Sequence, residues 1–236
     1  MEKKTIGILG GMGPMATADL FQKIVSLTDA AGDNEHIRVY IDSNASIPDR
    51  TAAILHGGAD PVPAMADSLR KLEACGADCV IMPCNTAHYF LPRLAGRTEL
   101  PFVSMIEAAA EACQTRFPGK TAAVLATAGT LSAGLYQGAL AARGVSFLVP
   151  DEAEREALME VIYRGVKAGA PPERYRETVL SVVEGLSKRG ADYFLLACTE
   201  LPLAFQALGL EQPRLDPTEE LAKAAIRFCG YRVKGE

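Results

Sequence analysis

A chain of 236 residues, 49% hydrophobic and 22% charged, holds enough apolar material for one large core or two modest ones. Its net charge of −5 argues against a general affinity for nucleic acid or an anionic membrane, and no apolar run approaches the roughly 18 residues of a membrane span. Met1-Glu2-Lys3-Lys4-Thr5 carries no signal-peptide cleavage pattern, so the expected location is the cytoplasm.

The first strand is expected over residues 5–9, and Gly10-Gly11-Met12-Gly13-Pro14-Met15-Ala16 follows it at once. Glycines there let backbone amides approach an anion. The same letters read as G-x-G-x-x-A, a dinucleotide fingerprint, with Asp42 closing a second strand at 37–42. A dinucleotide-binding oxidoreductase is therefore the rival reading, weakened by Pro14, which removes a backbone donor near the pyrophosphate position. Between these strands a helix is expected over 15–30. Residues 43–60 form a long connection, of a length that is usually functional or mobile. Arg50 within it offers a planar fork suited to a carboxylate, or reads as a solvated surface charge.

A helix at 61–74 leads to a strand at 78–83, which ends in Pro83-Cys84-Asn85-Thr86. A helix at 86–94, a strand at 101–103 and a helix at 105–116 come next. Strand 121–126, helix 131–142, strand 145–149 and helices 152–168 and 173–188 follow. Lys167 reads either as a charge complementing a helix dipole or as a carboxylate ligand. Strand 192–197 ends in Cys198-Thr199-Glu200, and a helix at 217–228 closes the pattern. Such alternation predicts parallel sheets covered on both faces.

The pattern repeats. Gly76-Ala77-Asp78 precedes Cys84, and Gly190-Ala191-Asp192 precedes Cys198, both landmarks lying 114 residues apart. Lys4-Thr5-Ile6-Gly7-Ile8-Leu9 resembles Lys120-Thr121-Ala122-Ala123-Val124-Leu125, and Leu20-Phe21-Gln22 resembles Leu135-Tyr136-Gln137, at nearly the same offset. Two copies of one α/β unit are expected, related by a pseudo-twofold duplication. The first domain is placed at 1–100 with a returning segment 212–236, and the second at 101–211. Ligands of open parallel sheets bind beyond the carboxyl ends of the strands. Both thiols fall there, which predicts one cleft between the domains with a thiol from each.

Two thiols across a carbon can remove a proton from one side and return one to the other. Asn85 or Thr86 is the expected cap of the helix after Cys84, and Thr199 of the helix after Cys198. Positive partial charge at each helix start is expected to lower the thiol pKa. Cys75, Cys79, Cys113 and Cys229 are expected to be buried, inert thiols, and no metal site is expected, because closely paired ligands are lacking. His88 would lie a full turn beyond Cys84, away from the strand end, which sets a Cys–His hydrolase aside.

Gly-Gly-Met-Gly-Pro, Pro-Cys-Asn-Thr-Ala-His and Ala-Cys-Thr-Glu-Leu-Pro, in this order, resemble the aspartate/glutamate racemase family, and its aspartate branch in particular. The resemblance covers essentially the whole chain. It implies cofactor-independent racemisation, without pyridoxal phosphate, with Cys84 and Cys198 as the acid/base pair. It implies Asp49 and Glu200 as supporting acid/base groups, and Arg50 and Lys167 as ligands of a side-chain carboxylate. Asn85, Thr86, Thr127 and Thr199, with backbone near Met12, would hold the α-carboxylate and amino group. Glu200 stands where the glutamate branch has His, which favours L-aspartate to D-aspartate as the reaction. Glutamate-type or broader specificity and a non-catalytic binding relative stay open beside it. The expected partner is a small amino acid alone, and the expected assembly a homodimer.

Overall fold

A computed structural model describes residues 3–236 and resolves the alternation into two parallel sheets. In chain order the strands are β1 (Ile6–Gly10), β2 (Val39–Ser43), β3 (Cys79–Ile81), β4 (Ala122–Ala126), β5 (Phe147–Leu148), β6 (Tyr193–Ala197) and β7 (Arg214–Leu215). The α-helices are α1 (Pro14–Leu27), α2 (Arg50–Leu55), α3 (Val62–Ala74), α4 (Leu91–Leu94), α5 (Met105–Arg116), α6 (Ala128–Ser132), α7 (Leu135–Ala142), α8 (Glu152–Glu160), α9 (Arg176–Lys188), α10 (Glu200–Ala207) and α11 (Pro217–Phe228). Ala109–Pro217 forms one unit; the described residues up to Ala108, with Thr218–Glu236, form the other. The division falls inside α5 rather than at the expected residue 101.

In the first unit the sheet order is β2-β1-β3, all parallel. β1 is the apolar run Ile-Gly-Ile-Leu-Gly, buried throughout, as a central strand covered on both faces must be. Ile6, Ile8, Cys79 and Ile81 face Leu20 and Ile24 of α1 and Leu221, Ala225 and Ile226 of α11. The opposite face sets Leu9, Val80 and Met82 against Met65, Leu69 and Leu72 of α3. The period-2 alternation of side chains thus continues past the end of β3, placing Cys84 on the same face as Val80 and Met82.

In the second unit the order is β5-β4-β6-β7, again all parallel. Ala123, Leu125, Phe194 and Leu196 pack against Leu158 of α8, Val182 and Leu186 of α9 and Phe205 of α10. Cys198 continues the face of Phe194 and Leu196, as Cys84 continues that of Val80 and Met82. On the other face Phe117 stacks on Tyr193, with ring centroids 4.0 Å apart.

The repeated Gly-Ala-Asp has a repeated geometry. Gly76 (φ +87°) and Gly190 (φ +98°) leave their helices in the left-handed conformation. The next N–H reaches back to close the helix end: Ala77 N donates to Leu72 O, and Ala191 N to Leu186 O, both at 3.1 Å. Asp78 Oδ2 then accepts from Thr5 N at 2.7 Å, and Asp192 Oδ2 accepts from Thr121 N at 2.8 Å. Each aspartate ties the start of one strand to the start of its neighbour.

Several expected elements differ. The 43–60 connection contains α2. The helix expected at 15–30 stops at Leu27, because Thr28 is extended and turns its hydroxyl back to Ile24 O at 2.6 Å. Residues 86–94 form a 3-10 turn, Thr86–Phe90, running into α4. The strand expected at 101–103 reduces to one bridge, Phe102 to Val80. The helix at 131–142 breaks at Gly134 (φ +65°) into α6 and α7. The helix at 152–168 ends as a π-helical turn, Val161–Val166. Cys75, expected to be buried, is exposed. Among the described residues no helix is long and apolar enough to cross a membrane.

Candidate active site

In the first unit the candidate residues gather at the carboxyl ends of β1, β2 and β3. After β3 the chain makes a tight turn in which Cys84 N donates to Met82 O at 2.8 Å. Met12, Ile47 and Cys84 share one buried apolar cluster. The glycine loop is locked from two sides. Thr17 Oγ1 accepts from Gly11 N at 2.8 Å and donates to Gly13 O at 3.1 Å. A Cβ on Gly11, which has φ +88°, would lie 2.3 Å from the carbonyl carbon of Asn44. The loop and the segment after β2 therefore touch backbone to backbone, a contact that only glycine permits.

Arg50 is not the solvated surface charge of the alternative reading; it is buried. Its Nη1 donates to Ile47 O (3.1 Å) and Pro48 O (3.0 Å), and Nη2 to Met12 O (3.4 Å). The guanidinium thus bridges the two loops that border Cys84. Asp49 is the N-cap of α2, accepting from Ala52 N at 2.7 Å. Asn85 and Thr86 are buried beside Cys84. Asn85 occupies the N-cap position of the 3-10 turn without a side-chain cap bond, because its own dihedrals (φ −57°, ψ −51°) are already helical.

His88 is a structural partner of the thiol loop. Its Nε2 accepts from Met105 N at 3.1 Å, so Nδ1 carries the hydrogen and donates to Cys84 O at 2.9 Å. Burial pushes its pKa down to about 4, which keeps the ring neutral in this bridging tautomer. The spacing of four residues that suggested a hydrolase pair instead joins the carbonyl of Cys84 to the first turn of α5.

In the second unit, Cys198 and Thr127 follow β6 and β4, whose last residues, Ala197 and Ala126, are paired in register. Cys198 is buried, and its Sγ donates to Glu200 Oε2 at 2.9 Å. Thr199 stands at the N-cap of α10 but makes no cap bond; its hydroxyl donates to the same Glu200 oxygen at 3.2 Å. Glu200 Oε1 faces Lys167 Nζ at 3.9 Å, and that ammonium lies 4.5 Å from the ring centroid of Tyr163. Tyr163 belongs to the π-helical turn and escaped the sequence reading, since nothing in its spacing announced that turn. Thr127 caps α6, accepting from Thr130 N at 3.2 Å.

The expected lowering of the thiol pKa fails at Cys198. Burial pushes it well above the ordinary range, and the Glu200 carboxylate pushes the same way; Lys167 opposes both. A helix start helps a thiolate only where desolvation does not outweigh it.

A family model described as Asp/Glu/hydantoin racemase matches residues 9–225. The chain belongs to that family. It is 28% identical over 227 residues to the broad specificity amino-acid racemase RacX of Bacillus subtilis, covering 94% of this chain and 96% of that one. Among solved structures, the aspartate racemase of Picrophilus torridus superposes with a TM-score of 0.86 at 33% identity, covering 98% of this chain and 96% of that one. The fold is shared more widely: a glutamate racemase from Francisella tularensis, solved with D-glutamate, gives a TM-score of 0.70 at 15% identity over 97% and 81% of the two chains. The α/β fold of two parallel sheets is that of these relatives, and the glycine loop belongs to a racemase family rather than to a dinucleotide-binding oxidoreductase.

Proposed function

We propose that this protein interconverts L- and D-aspartate without a cofactor, with Cys84 and Cys198 as its two bases. The observation that carries the reading is the arrangement at Cys198: a buried thiol bonded to a carboxylate whose charge a lysine partly balances. That carboxylate can take the Sγ proton and return it. Burial and Glu200 both oppose a Cys198 thiolate, so in one direction Cys198 is the acid and Cys84 the base that removes the α-proton. For the opposite enantiomer the roles exchange, and Glu200 relieves Cys198 of its proton.

The α-proton of an amino acid is a very weak acid, and a placed acid/base group supplies only about 10²–10⁴-fold. Fixed donors that stabilise the carbanion, and exclusion of water, must supply the rest. Asn85, Thr86, Thr127 and Thr199, with backbone near Met12, are the proposed ligands of the α-carboxylate and amino group. Asp49 is the proposed supporting carboxylate of the Cys84 side. Arg50 and Lys167 are the proposed ligands of the side-chain carboxylate, and a substrate reaching Arg50 competes with the loop carbonyls it already serves. We place the enzyme in the cytoplasm as a homodimer.

A broader specificity is favoured by one finding, the full-length likeness to RacX. A chiral assay over L-Asp, L-Glu and uncharged amino acids separates the readings. Aspartate preferred by tenfold or more supports ours; equal turnover of uncharged substrates overturns it.

A further inference from the structure

Two thiols outside the proposed chemistry meet inside the first unit. Cys79 opens β3 and Cys229 follows α11, yet their Sγ atoms lie 3.7 Å apart, and both side chains are fully buried in one apolar cluster. The cluster needs nothing polar at this point; apolar residues of similar volume would fill it. A sulfur–sulfur approach of this length is the contact of a reduced pair. A disulfide needs about 2.05 Å, so the two sulfurs must close the remaining gap to bond. The neighbours differ in what they offer. Cys75 is exposed, while Cys113, though buried, lies in another unit.

We propose that Cys79 and Cys229 form a reversible disulfide when the protein meets a peroxide, stapling the C-terminal helix to the central sheet of the first unit. Either sulfur can donate to the other. The thiolate of one attacks one oxygen of hydrogen peroxide; the O–O bond breaks, leaving a sulfenic acid and hydroxide, which takes up a proton to give water. The second sulfur then attacks the first, the S–O bond breaks, and the oxygen leaves with the second thiol's proton as a second water. Two thiols lose two electrons, and one peroxide becomes two waters.

The cross-link closes a ring of chain from 79 to 229 that contains the whole second unit in its sequence. Long closed loops lose the most freedom in the unfolded state, so a rise in melting temperature is expected. Cys79 lies five residues before Cys84, so a staple here secures β3, which leads into a proposed catalytic thiol, without consuming that thiol.

The test treats the full-length protein with a small excess of hydrogen peroxide, blocks remaining thiols with N-ethylmaleimide and digests it with trypsin without reduction. Phe228–Arg232 carries Cys229, and Leu72–Arg93 carries Cys75, Cys79 and Cys84. The expected product joins these two peptides. It persists in Cys75→Ser and Cys84→Ser, vanishes in Cys79→Ser, and the melting temperature of the treated wild type rises by several degrees and falls back with dithiothreitol. A linked peptide that survives Cys79→Ser, or Cys229 recovered fully alkylated, overturns the proposal. Because Cys84→Ser removes a proposed base and keeps the link, failure of the racemase reading leaves this result unaffected.

Discussion

The thiol of Cys198 and the carboxylate of Glu200 are joined by a hydrogen bond of 2.9 Å inside a buried site, with Lys167 3.9 Å from the other carboxylate oxygen. The pair sits two residues apart, at the junction where β6 ends and α10 begins. A thiol so placed holds its proton at neutral pH and has an acceptor in contact for it.

Replacing Glu200 with Gln keeps the shape and removes the acceptor charge. Racemisation should fall by about 100-fold or more, the scale of one acid/base group. The thiol itself reports the cause. In a Cys84→Ser background, alkylation of Cys198 by iodoacetamide should go on rising with pH beyond the point where a free cysteine, with a pKa of about 8.5, has levelled off. Glu200→Gln should move that rise to lower pH, since a charge opposing the thiolate is gone. An unmoved profile contradicts the coupling.

Lys167 is the cleaner probe of substrate choice. Arg50 supports Ile47, Pro48 and Met12 carbonyls, so its replacement disturbs two loops at once. Lys167→Met should raise KM for aspartate by about 10- to 100-fold, the worth of one charged hydrogen bond. It should raise KM for an uncharged amino acid by less than about threefold, whereas any loss of turnover from the charge Lys167 supplies to Glu200 and Cys198 is shared by both substrates. Equal rises in KM on both substrates contradict a carboxylate-binding role.

His88 ties stability to pH. Its folded pKa is about 4, below the ordinary value of about 6.5. The contribution is fully present above pH 6.5, and it is lost as pH falls, because only the unfolded chain takes up the proton between 6.5 and 4. The difference in unfolding free energy between wild type and His88→Gln, from urea melts, should shrink by about 3 kcal/mol from pH 7 to pH 4. A constant difference contradicts a buried neutral ring.

Gly11 tests the loop contact. Gly11→Ala places Cβ within 2.3 Å of the Asn44 backbone at a positive φ and should cost at least about 3 kcal/mol. Gly57→Ala, at φ +62° with nothing within 4 Å, should cost about 1 kcal/mol. Similar costs at both sites contradict the steric argument.

The frames of Cys84 and Cys198 were legible in the chain because alternation and the Gly-Ala-Asp turn are local, and a turn repeated at a fixed offset repeats its geometry. The glycine loop was legible for the same reason, although its letters also fit a dinucleotide fingerprint that Pro14 weakens. The π-helical turn was not legible, since the apolar spacing of 152–168 runs through it unbroken. Tyr163 was therefore missed, although Lys167 beside it was found. Thr199 misled because a hydroxyl at a helix start has two possible partners, and the nearby Glu200 oxygen competes for it. The pKa of Cys198 misled because helix position can be read from sequence and burial cannot. β7 is two residues long and carries no pattern.

The most direct measurement follows L-aspartate in deuterated water with no cofactor added, using the wild type and the single variants Cys84→Ser and Cys198→Ser. Two bases on opposite faces predict that D-aspartate formed early carries deuterium at Cα while the remaining L-aspartate stays protiated, and that each variant loses racemisation by about 10³-fold or more. D-aspartate that retains protium, or either variant still racemising at a rate near the wild type, contradicts the two-thiol mechanism.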